Sequence, residues 1–476
     1  MSMSRDQMLD GMYRRDEALN GRYIVGVTST RIYCLPDCPA RKPKAENVVF
    51  FLRERDAHNA GFRACKRCRP DNYYRGIDQD HTTLCDLLDQ VRKNTAAFPN
   101  VRSLVRACGF GSTKLASLTV DHFHQPPAAL LRRLRIQRAA ELLTTHQLSP
   151  TEACFAAGFG SLATFYKQFK TATGMAPVAY TALPGKTGFT VSLPRGYSEQ
   201  GIKALLGRDA NSPNQGFTGT QGFKVVALAG VPSRLDIRLR PTSAHVRLTS
   251  PASLPPEASV EAHGIALRLL GLHQHRPTVA ALQREPWATL VNPAPGLRPA
   301  LYATPFEALL WAIVGQQINI RFAATLIRRI NAAVAERSNG NMVLPATAQA
   351  LAQVDAADLA KLQCSGAKSN TIIQVARAIS TGELPLNTLT AAGAAAARQA
   401  LLTHKGIGPW TSEYVLMRGM GFADCLPLGD SGLRNGVGRF FAMDQHPDSS
   451  AVASHMAAFA PYRSLATHHI WMNHSG

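Results

Sequence analysis

The sequence predicts a multidomain α+β chain. A small α/β module comes first, then an all-α domain holding two helix-turn-helix units. A β-sheet subdomain follows, and an all-α region closes the chain. Three observations predict this order. Two cysteine pairs stand close together near the start, Cys34 with Cys38 and Cys65 with Cys68. A short string, Ala-x-Gly-Phe-Gly-Ser, occurs at Ala107 and again at Ala156. Period-two strings rich in β formers fill 187–250, and helix-period patterning takes over after 260. A length of 476 residues suits about three domains.

The charge is basic in both parts of the chain, and more densely so in the shorter first part. There are 52 basic and 32 acidic residues, a net +20. Residues 1–180 hold 26 basic and 16 acidic, and 181–476 hold the same numbers. Both halves therefore suit a polyanion, nucleic acid ahead of a membrane surface. No apolar run approaches the length of a membrane span; Ala308 to Gly315 comes nearest. The start, MSMSRDQMLDGMYRRDE, has no apolar h-region, so a cytoplasmic location is expected. In a reducing compartment, paired cysteines are metal ligands or reactive thiols rather than disulfides. Cys85, Cys108, Cys154, Cys364 and Cys425 are scattered among apolar residues and read as small core residues.

The first module spans 1–78. Cys34-x3-Cys38, a gap of 26 residues and Cys65-x2-Cys68 is close to a zinc spacing, and four thiolates suit one closed tetrahedral Zn2+ site. ENVVFFL (46–52) reads as a buried strand and DAHNAGF (56–62) as a short helix ending at Gly61. So small a segment needs a staple. Spacing alone leaves the metal as scaffold. The strings RIYCLPDCPARKPKAENVVFF and AGFRACKRCRPD, however, resemble the N-terminal zinc domain of the bacterial Ada alkylation-response family over most of 10–75. That resemblance implies a chemical centre. Cys34 would take a methyl group from a DNA methylphosphotriester, with Cys38, Cys65 and Cys68 as the other ligands. Arg31, Arg41, Lys42, Lys44, Lys66, Arg67 and Arg69 would hold the DNA backbone. Methylation would remove one negative charge from the cluster, worth on the order of 1 kcal/mol per nearby phosphate.

The second module spans 81–181. Each Gly-x-Gly reads as a tight turn between short helices, with Ser112 and Ser161 as N-caps. Ser149, Pro150 and Glu152 mark another helix start. LLRRLRIQRAAELLTT joins the two copies as a basic amphipathic helix. RLRIQRAAELL followed by AGFGSLATFYKQFKTATGMAP resembles the AraC-type DNA-binding domain. The resemblance implies a recognition helix over 161–172, with Ser161, Thr164, Lys167 and Lys170 facing DNA, and a partner helix over 112–120. Phe159, Phe165 and Phe169 read as core.

The last part divides into an antiparallel sheet with a helix near Ser198 to Leu206, over 187–262, and a helical region over 263–476. HKGIGPWTSEYVLMRGMG (404–421) is a helix, a glycine hairpin and a helix, which leaves amides free for a phosphate. Together with PFEALLWAIVGQQINI, CLPLGDSGL and YRSLATHHIW, it resembles the helix-hairpin-helix DNA glycosylases, above all the AlkA-type 3-methyladenine enzymes. That resemblance implies a mixed β-sheet subdomain with an all-α helix-hairpin-helix glycosylase. Asp430 would be the catalytic carboxylate, and Trp410, Tyr414 and Trp471 would line a pocket for a flipped alkylated purine. Gln316, Gln317, Lys405, Gly406 and Gly408 would touch DNA, Gln317 where these enzymes insert a wedge. A tryptophan at 410, where bifunctional relatives carry a lysine, implies a monofunctional hydrolase. Ser431 stands where AlkA-type enzymes have an aromatic residue. Cys364 and Cys425 cannot supply a four-cysteine iron–sulfur cluster, and no nucleotide cofactor is expected.

The expectation for the whole chain is an alkylation-damage sensor, regulator and repair enzyme. It would methylate itself at Cys34, activate transcription with RNA polymerase, and excise 3-methyladenine and 7-methylguanine from double-stranded DNA in the bacterial nucleoid. The rival reading is a DNA-binding regulator with a structural zinc and a non-catalytic glycosylase-fold clamp. No Pro-Cys-His-Arg motif occurs, so repair of O6-methylguanine is not expected.

Overall fold

The computed structural model describes residues 3–75, 78–273, 276–336 and 342–474. The chain forms two compact units, 1–86 and 87–476.

In the first unit, α1 (Arg5–Arg14) starts on Ser4, whose side chain closes a capping box with Gln7. The sheet is built from β1 (Ile24–Val27), β2 (Ile32–Cys34), β3 (Val48–Phe51) and, after helix α2 (Glu54–Asn59), β4 (Arg63–Ala64). Helix α3 (Pro70–Tyr74) follows. The strand order is β3-β1-β2-β4, with β2 and β4 parallel and the other pairs antiparallel. The expected strand over 46–52 is thus trimmed to four residues. The expected helix over 56–62 begins two residues earlier and stops before Gly61, whose φ is 79°. The parallel pairing matters most. Tyr33 lies opposite Ala64, and the Cys65 amide donates to the Tyr33 carbonyl at 2.9 Å. Each cysteine pair therefore leaves its strand beside the other.

In the second unit, helices α4 (Val101–Cys108), α5 (Ser112–Phe123), α6 (Pro127–Thr144), α7 (Pro150–Ala156) and α8 (Leu162–Thr173) form the doubled motif. Ser149 and Glu152 close a capping box on α7, and the Ser161 side chain caps α8 by accepting from the Thr164 amide. The first copy differs. Ser112 is not a cap but the first residue of α5; Gly111 takes the N-cap place without a side-chain bond. A glycine cap costs only a few tenths of a kcal/mol relative to serine, so a start one residue earlier is tolerated.

The following sheet runs β5 (Gly188–Ser192), then, past α9 (Gln200–Leu206), β6 (Gln215–Thr218), β7 (Gln221–Leu228), β8 (Val231–Arg240) and β9 (Ser243–Thr249). Its order is β5-β9-β8-β7-β6, antiparallel at every pairing. Strand β6 is the weakest of the five by sequence; its QGFT string has a single aromatic. Helix α10 (Ala258–Leu269) covers the sheet. Helices α11 (Pro305–Gly315), α12 (Ile320–Glu336), α13 (Gly366–Thr381), α14 (Ala394–Leu402), α15 (Pro409–Tyr414), α16 (Ser431–Phe440) and α17 (Arg463–His474) lead to the C-terminal end. Among the described residues, no helix is long and apolar enough to cross a membrane.

One buried core joins the helix-turn-helix region to this sheet. A chain of rings runs through it: Phe159–Phe165 at 5.1 Å, Phe165–Phe169 at 5.4 Å, Phe169–Tyr180 at 5.2 Å, Tyr180–His263 at 5.1 Å and His263–Phe189 at 5.6 Å. The three phenylalanines are core residues, as their spacing predicted. Burial pushes His263 down to about 4, so its ring is neutral, and Nε2–H donates to the Thr173 carbonyl at 2.7 Å. That bond satisfies an orphan carbonyl at the end of α8. Next to it, Gly174 has φ 68°, and a Cβ there would lie 2.4 Å from Val191. The Ser192 amide bonds its carbonyl at 2.8 Å. The end of α8 is thus fastened to β5. Phe169→Ala is expected to destabilise the helical and sheet parts of 87–476 together, by about 3–5 kcal/mol. Denaturant unfolding followed by circular dichroism, with hydrogen exchange of β5 and β9, checks this; an unaltered sheet would contradict it.

Candidate functional site

The two cysteine pairs meet as the β2–β4 pairing requires. The four sulfurs of Cys34, Cys38, Cys65 and Cys68 all lie within 4.8 Å of one another, and Cys38 and Cys65 are 4.0 Å apart. A tetrahedron with Zn–S bonds of about 2.3 Å has edges of about 3.8 Å, so the cluster fits one zinc ion. Without a cation, four thiols so close compete for protons. The hydrogen bond to Cys38, with burial, pushes Cys34 far up, while the bond from Cys34 pulls Cys38 down to about 2. Four thiolates need a dication to coexist here. Backbone amides single out some sulfurs: Leu35 donates to Cys68 and Arg67 to Cys65, both at 3.4 Å, and Ala40 supports Cys38. Among the described residues, Cys34 receives no such bond.

The basic residues around this cluster divide by what they touch. Lys42 is half-buried and its ammonium spans the Pro36 and Cys38 carbonyls, both at 3.2 Å; it fastens the ligand loop. Arg31 donates to the Ala60 carbonyl and lies 5.4 Å over Phe62, and Lys44 faces Glu46 at 3.7 Å. Arg41, Lys66, Arg67 and Arg69 are exposed, with no ion pair among the described residues. On α8, Thr164, Lys167 and Lys170 face solvent, while Ser161 is engaged as the cap.

In the last region the hairpin residues Lys405, Gly406 and Gly408 precede α15, with Pro409 at its first position. Gly406 has φ 87°, and a Cβ would sit 2.2 Å from Thr371, so no other residue fits. Gln316 does not face outward. Its amide donates to the Gly406 carbonyl and to Thr411, each at 3.0 Å, and ties the end of α11 to the hairpin. Lys368 caps the same turn by donating to the Val314 and Gln316 carbonyls. Gln317 is exposed, with φ 56°. Ile320, three residues on, is 64% exposed and was not singled out by the sequence.

Helix α15 continues as a wider π-helical turn, Val415–Met420, a form common at functional sites. Four expected residues converge there. Asp430 is the N-cap of α16, and its Oδ1 accepts from the Leu433 amide at 2.7 Å. Trp471 Nε1 donates to Oδ1 at 3.0 Å and Trp410 Nε1 to Oδ2 at 3.1 Å. The Tyr414 ring lies between the two indoles, 5.5 Å from Trp410 and 6.1 Å from Trp471. Glu413 holds the loop leading to Asp430 by accepting from the Leu426 amide at 2.9 Å, and pairs with Arg398 at 2.5 Å.

The sequence did not reveal what stands behind Tyr414. Its hydroxyl is 3.2 Å from that of Tyr302, which in turn accepts from Arg208. Arg418, in the π-helical turn, is buried beside them. Tyr302 is also part of the lining of a cavity of about 50 Å³, with Trp311, Asn214 and the Lys224–Glu307 pair; Asp430 does not reach it. No local pattern brings residues 94 and 112 positions apart together.

Three family models match. Residues 7–71 match the metal-binding domain of Ada, 104–182 a helix-turn-helix domain, and 310–461 the HhH-GPD superfamily of base excision DNA repair proteins. A Mycobacterium tuberculosis protein named a probable bifunctional transcriptional activator/DNA repair enzyme AlkA is 28% identical, over 96% of this chain and 94% of its own. The Bacillus subtilis DNA-3-methyladenine glycosylase is 32% identical over 37% of this chain and 59% of its own. The solved 3-methyladenine DNA-glycosylase of Archaeoglobus fulgidus shares the fold, with a TM-score of 0.52 at 19% identity over 60% of this chain and 97% of that one.

The four-sulfur geometry carries a direct expectation. The purified chain holds one equivalent of zinc by elemental analysis, and Cys38→Ser with Cys65→Ser loses it. Full retention in the double variant would place the ion elsewhere.

Proposed function

We propose that this chain, in which an Ada-type metal-binding domain precedes an AraC-type helix-turn-helix domain and a HhH-GPD base-excision domain, senses and repairs alkylated DNA by two separate chemistries. The single observation that carries the repair reading is the Asp430 carboxylate, held by two indole N–H groups and a helix start. A carboxylate offers about four acceptor positions, and three are filled here. The one left, on Oδ2, faces no protein donor among the described residues. It is free for the sugar or a water. With the base flipped out, Asp430 stabilises the positive charge that grows on the sugar as the glycosidic bond breaks, and its fixed position means little reorganisation is needed. Trp410, Tyr414 and Trp471 supply aromatic faces for an electron-poor purine such as 3-methyladenine or 7-methylguanine. Lys405, Gly406 and Gly408 present the hairpin backbone to a phosphate, with Gln316 and Gln317 at the neighbouring turn. No lysine stands at position 410, so the reaction stops at base release.

At the other end, bound zinc keeps the four sulfurs as thiolates at neutral pH. Cys34 is the methyl acceptor. Its sulfur, the one ligand without a backbone amide donor among the described residues, has a lone pair left for attack on carbon that no amide draws on. The Sγ–CH3 bond forms, the O–CH3 bond of the phosphotriester breaks, and the phosphodiester leaves with the electron pair. The cluster then carries one negative charge fewer, which favours the DNA backbone near Arg31, Arg41, Lys44, Lys66, Arg67 and Arg69, while Lys42 keeps the ligand loop in place. One charge acting on several phosphates shifts affinity by one or more decades. The helix α8, through Thr164, Lys167 and Lys170 with Ser161 at its cap, reads the major groove. Activation through RNA polymerase completes this reading.

Incubation with methylphosphotriester DNA is expected to add a single methyl group to Cys34 and none to Cys38, seen by peptide mass spectrometry. A methyl group on another cysteine would overturn the assignment. Asp430→Asn is expected to cut release of 3-methyladenine by at least about a hundredfold, the scale set by losing one electrostatic stabiliser. Base release at the wild-type rate would leave the last domain as a clamp.

A further inference from the structure

The aromatic wall beside Asp430 has charge behind it that lacks the usual partner. Arg418 is 3% exposed, its guanidinium 5.9 Å over the Tyr302 ring, and its Nε has no hydrogen-bond partner among the described residues. Arg208 is packed 4.3 Å over Trp311 and donates to the Tyr302 hydroxyl. Arg208 is half-buried and Arg418 buried; guanidiniums so enclosed stay charged and are normally matched by carboxylates. Here the nearby acids are committed elsewhere: Glu307 to Lys224 at 2.6 Å, Asp209 to Arg328 at 3.0 Å, Glu413 to Arg398, and Asp430 to the two indoles. His468, on α17, is kept neutral by burial and by the Arg418 charge. The groups that act on both guanidiniums are Tyr302 and Tyr414. Their hydroxyls are 3.2 Å apart, and both residues are almost fully buried.

Two phenols at hydrogen-bond distance between two cations form an acid–base pair. The neutral phenol donates to the anionic one in a charge-assisted bond. Burial resists ionisation of both. At Tyr414 the Arg208 and Arg418 charges outweigh it and draw the phenol down, whereas Tyr302 is pushed up by burial first.

We propose that the Tyr302–Tyr414 pair, clasped by Arg208 and Arg418, shares one proton and carries one negative charge, making the pocket select a cationic N-alkylated purine over a neutral base of the same shape. This rests on the reading of the Asp430 site as the base pocket. With both phenols neutral, the two guanidiniums and Asp430 would leave a net positive charge beside the pocket, which repels a cationic base. One phenolate brings that balance to zero. It also places an anionic ring at 414, in contact with both indoles that hold Asp430, and an electron-rich ring attracts a cation more strongly.

Two readouts test this separately. The near-ultraviolet difference spectrum of native against denatured protein, near neutral pH, is expected to show one tyrosinate. Tyr414→Phe removes it, and Arg208→Gln moves its titration upward. A native protein whose tyrosines all ionise only in the ordinary range of about 10 overturns the proposal. The second readout is the rate of 7-methylguanine release divided by that of hypoxanthine, which is neutral. This ratio is expected to fall about tenfold in Tyr414→Phe and in Tyr302→Phe, the effect of one charge at partly screened distance. An unchanged ratio with folded variants overturns the selectivity. If the wild-type chain releases no base at all, the excision reading fails, and the spectrum alone decides whether the tyrosinate exists.

Discussion

The fixing of one carboxylate, Asp430, organises the C-terminal region of the chain. Asp430 caps α16 and takes two indole N–H bonds, from α15 and from α17. Three successive helices of the C-terminal region therefore have to meet at one carboxylate. The hairpin before α15, the Glu413 brace on the loop before Asp430, and the packing of α16 against α17 all serve that meeting. A looser arrangement would leave a carboxylate able to turn toward solvent. Here it keeps one open acceptor position and one direction.

The zinc module solves a similar problem with other means. Its sheet is too small to fix anything by burial alone. Parallel pairing of β2 with the two-residue β4 aligns the cysteine pairs, and Lys42 draws the ligand loop together through two carbonyls. Amide-to-sulfur bonds then distinguish chemically identical ligands. Cys34 is the ligand without a backbone amide donor among the described residues, and that difference is separate from exposure, since Cys68 is more open than Cys34.

Much of this was legible in the sequence where the signal is local. Cysteine spacing fixes a four-sulfur cluster because each pair must share a loop. The Ser149–Pro150–Glu152 start and the Ser161 cap are complete within four residues, and the structure has both. The cap expected at Ser112 is not made: Gly111 takes the N-cap place without a side-chain bond, although the same Gly-Phe-Gly-Ser string at 158–161 does cap through its serine, a difference no residue pattern marks. Long-range facts were hidden. Gln316 sits in a string that suggests DNA contact, yet its amide is spent on Gly406 and Thr411. The pairing of Arg208 with Tyr302, and of Tyr302 with Tyr414, depends on how the sheet subdomain meets the helices. Hydrophobic periodicity places Tyr414 inside but says nothing about the charge beside it.

The ring chain from Phe159 to Phe189, with His263 on the end of α8, has a consequence for how such a protein can change. The Pro/Gly-rich stretch at Leu183 to Lys186 looks like a seam where a regulator could be cut from a repair enzyme and joined to another. The core does not recognise that seam. A new partner for either side would have to rebuild a shared interior, aromatic by aromatic, and find another cap for the end of α8. The two parts are thus bound to a common history: drift in the sheet alters the seat of α8, and drift in α8 is checked by the sheet.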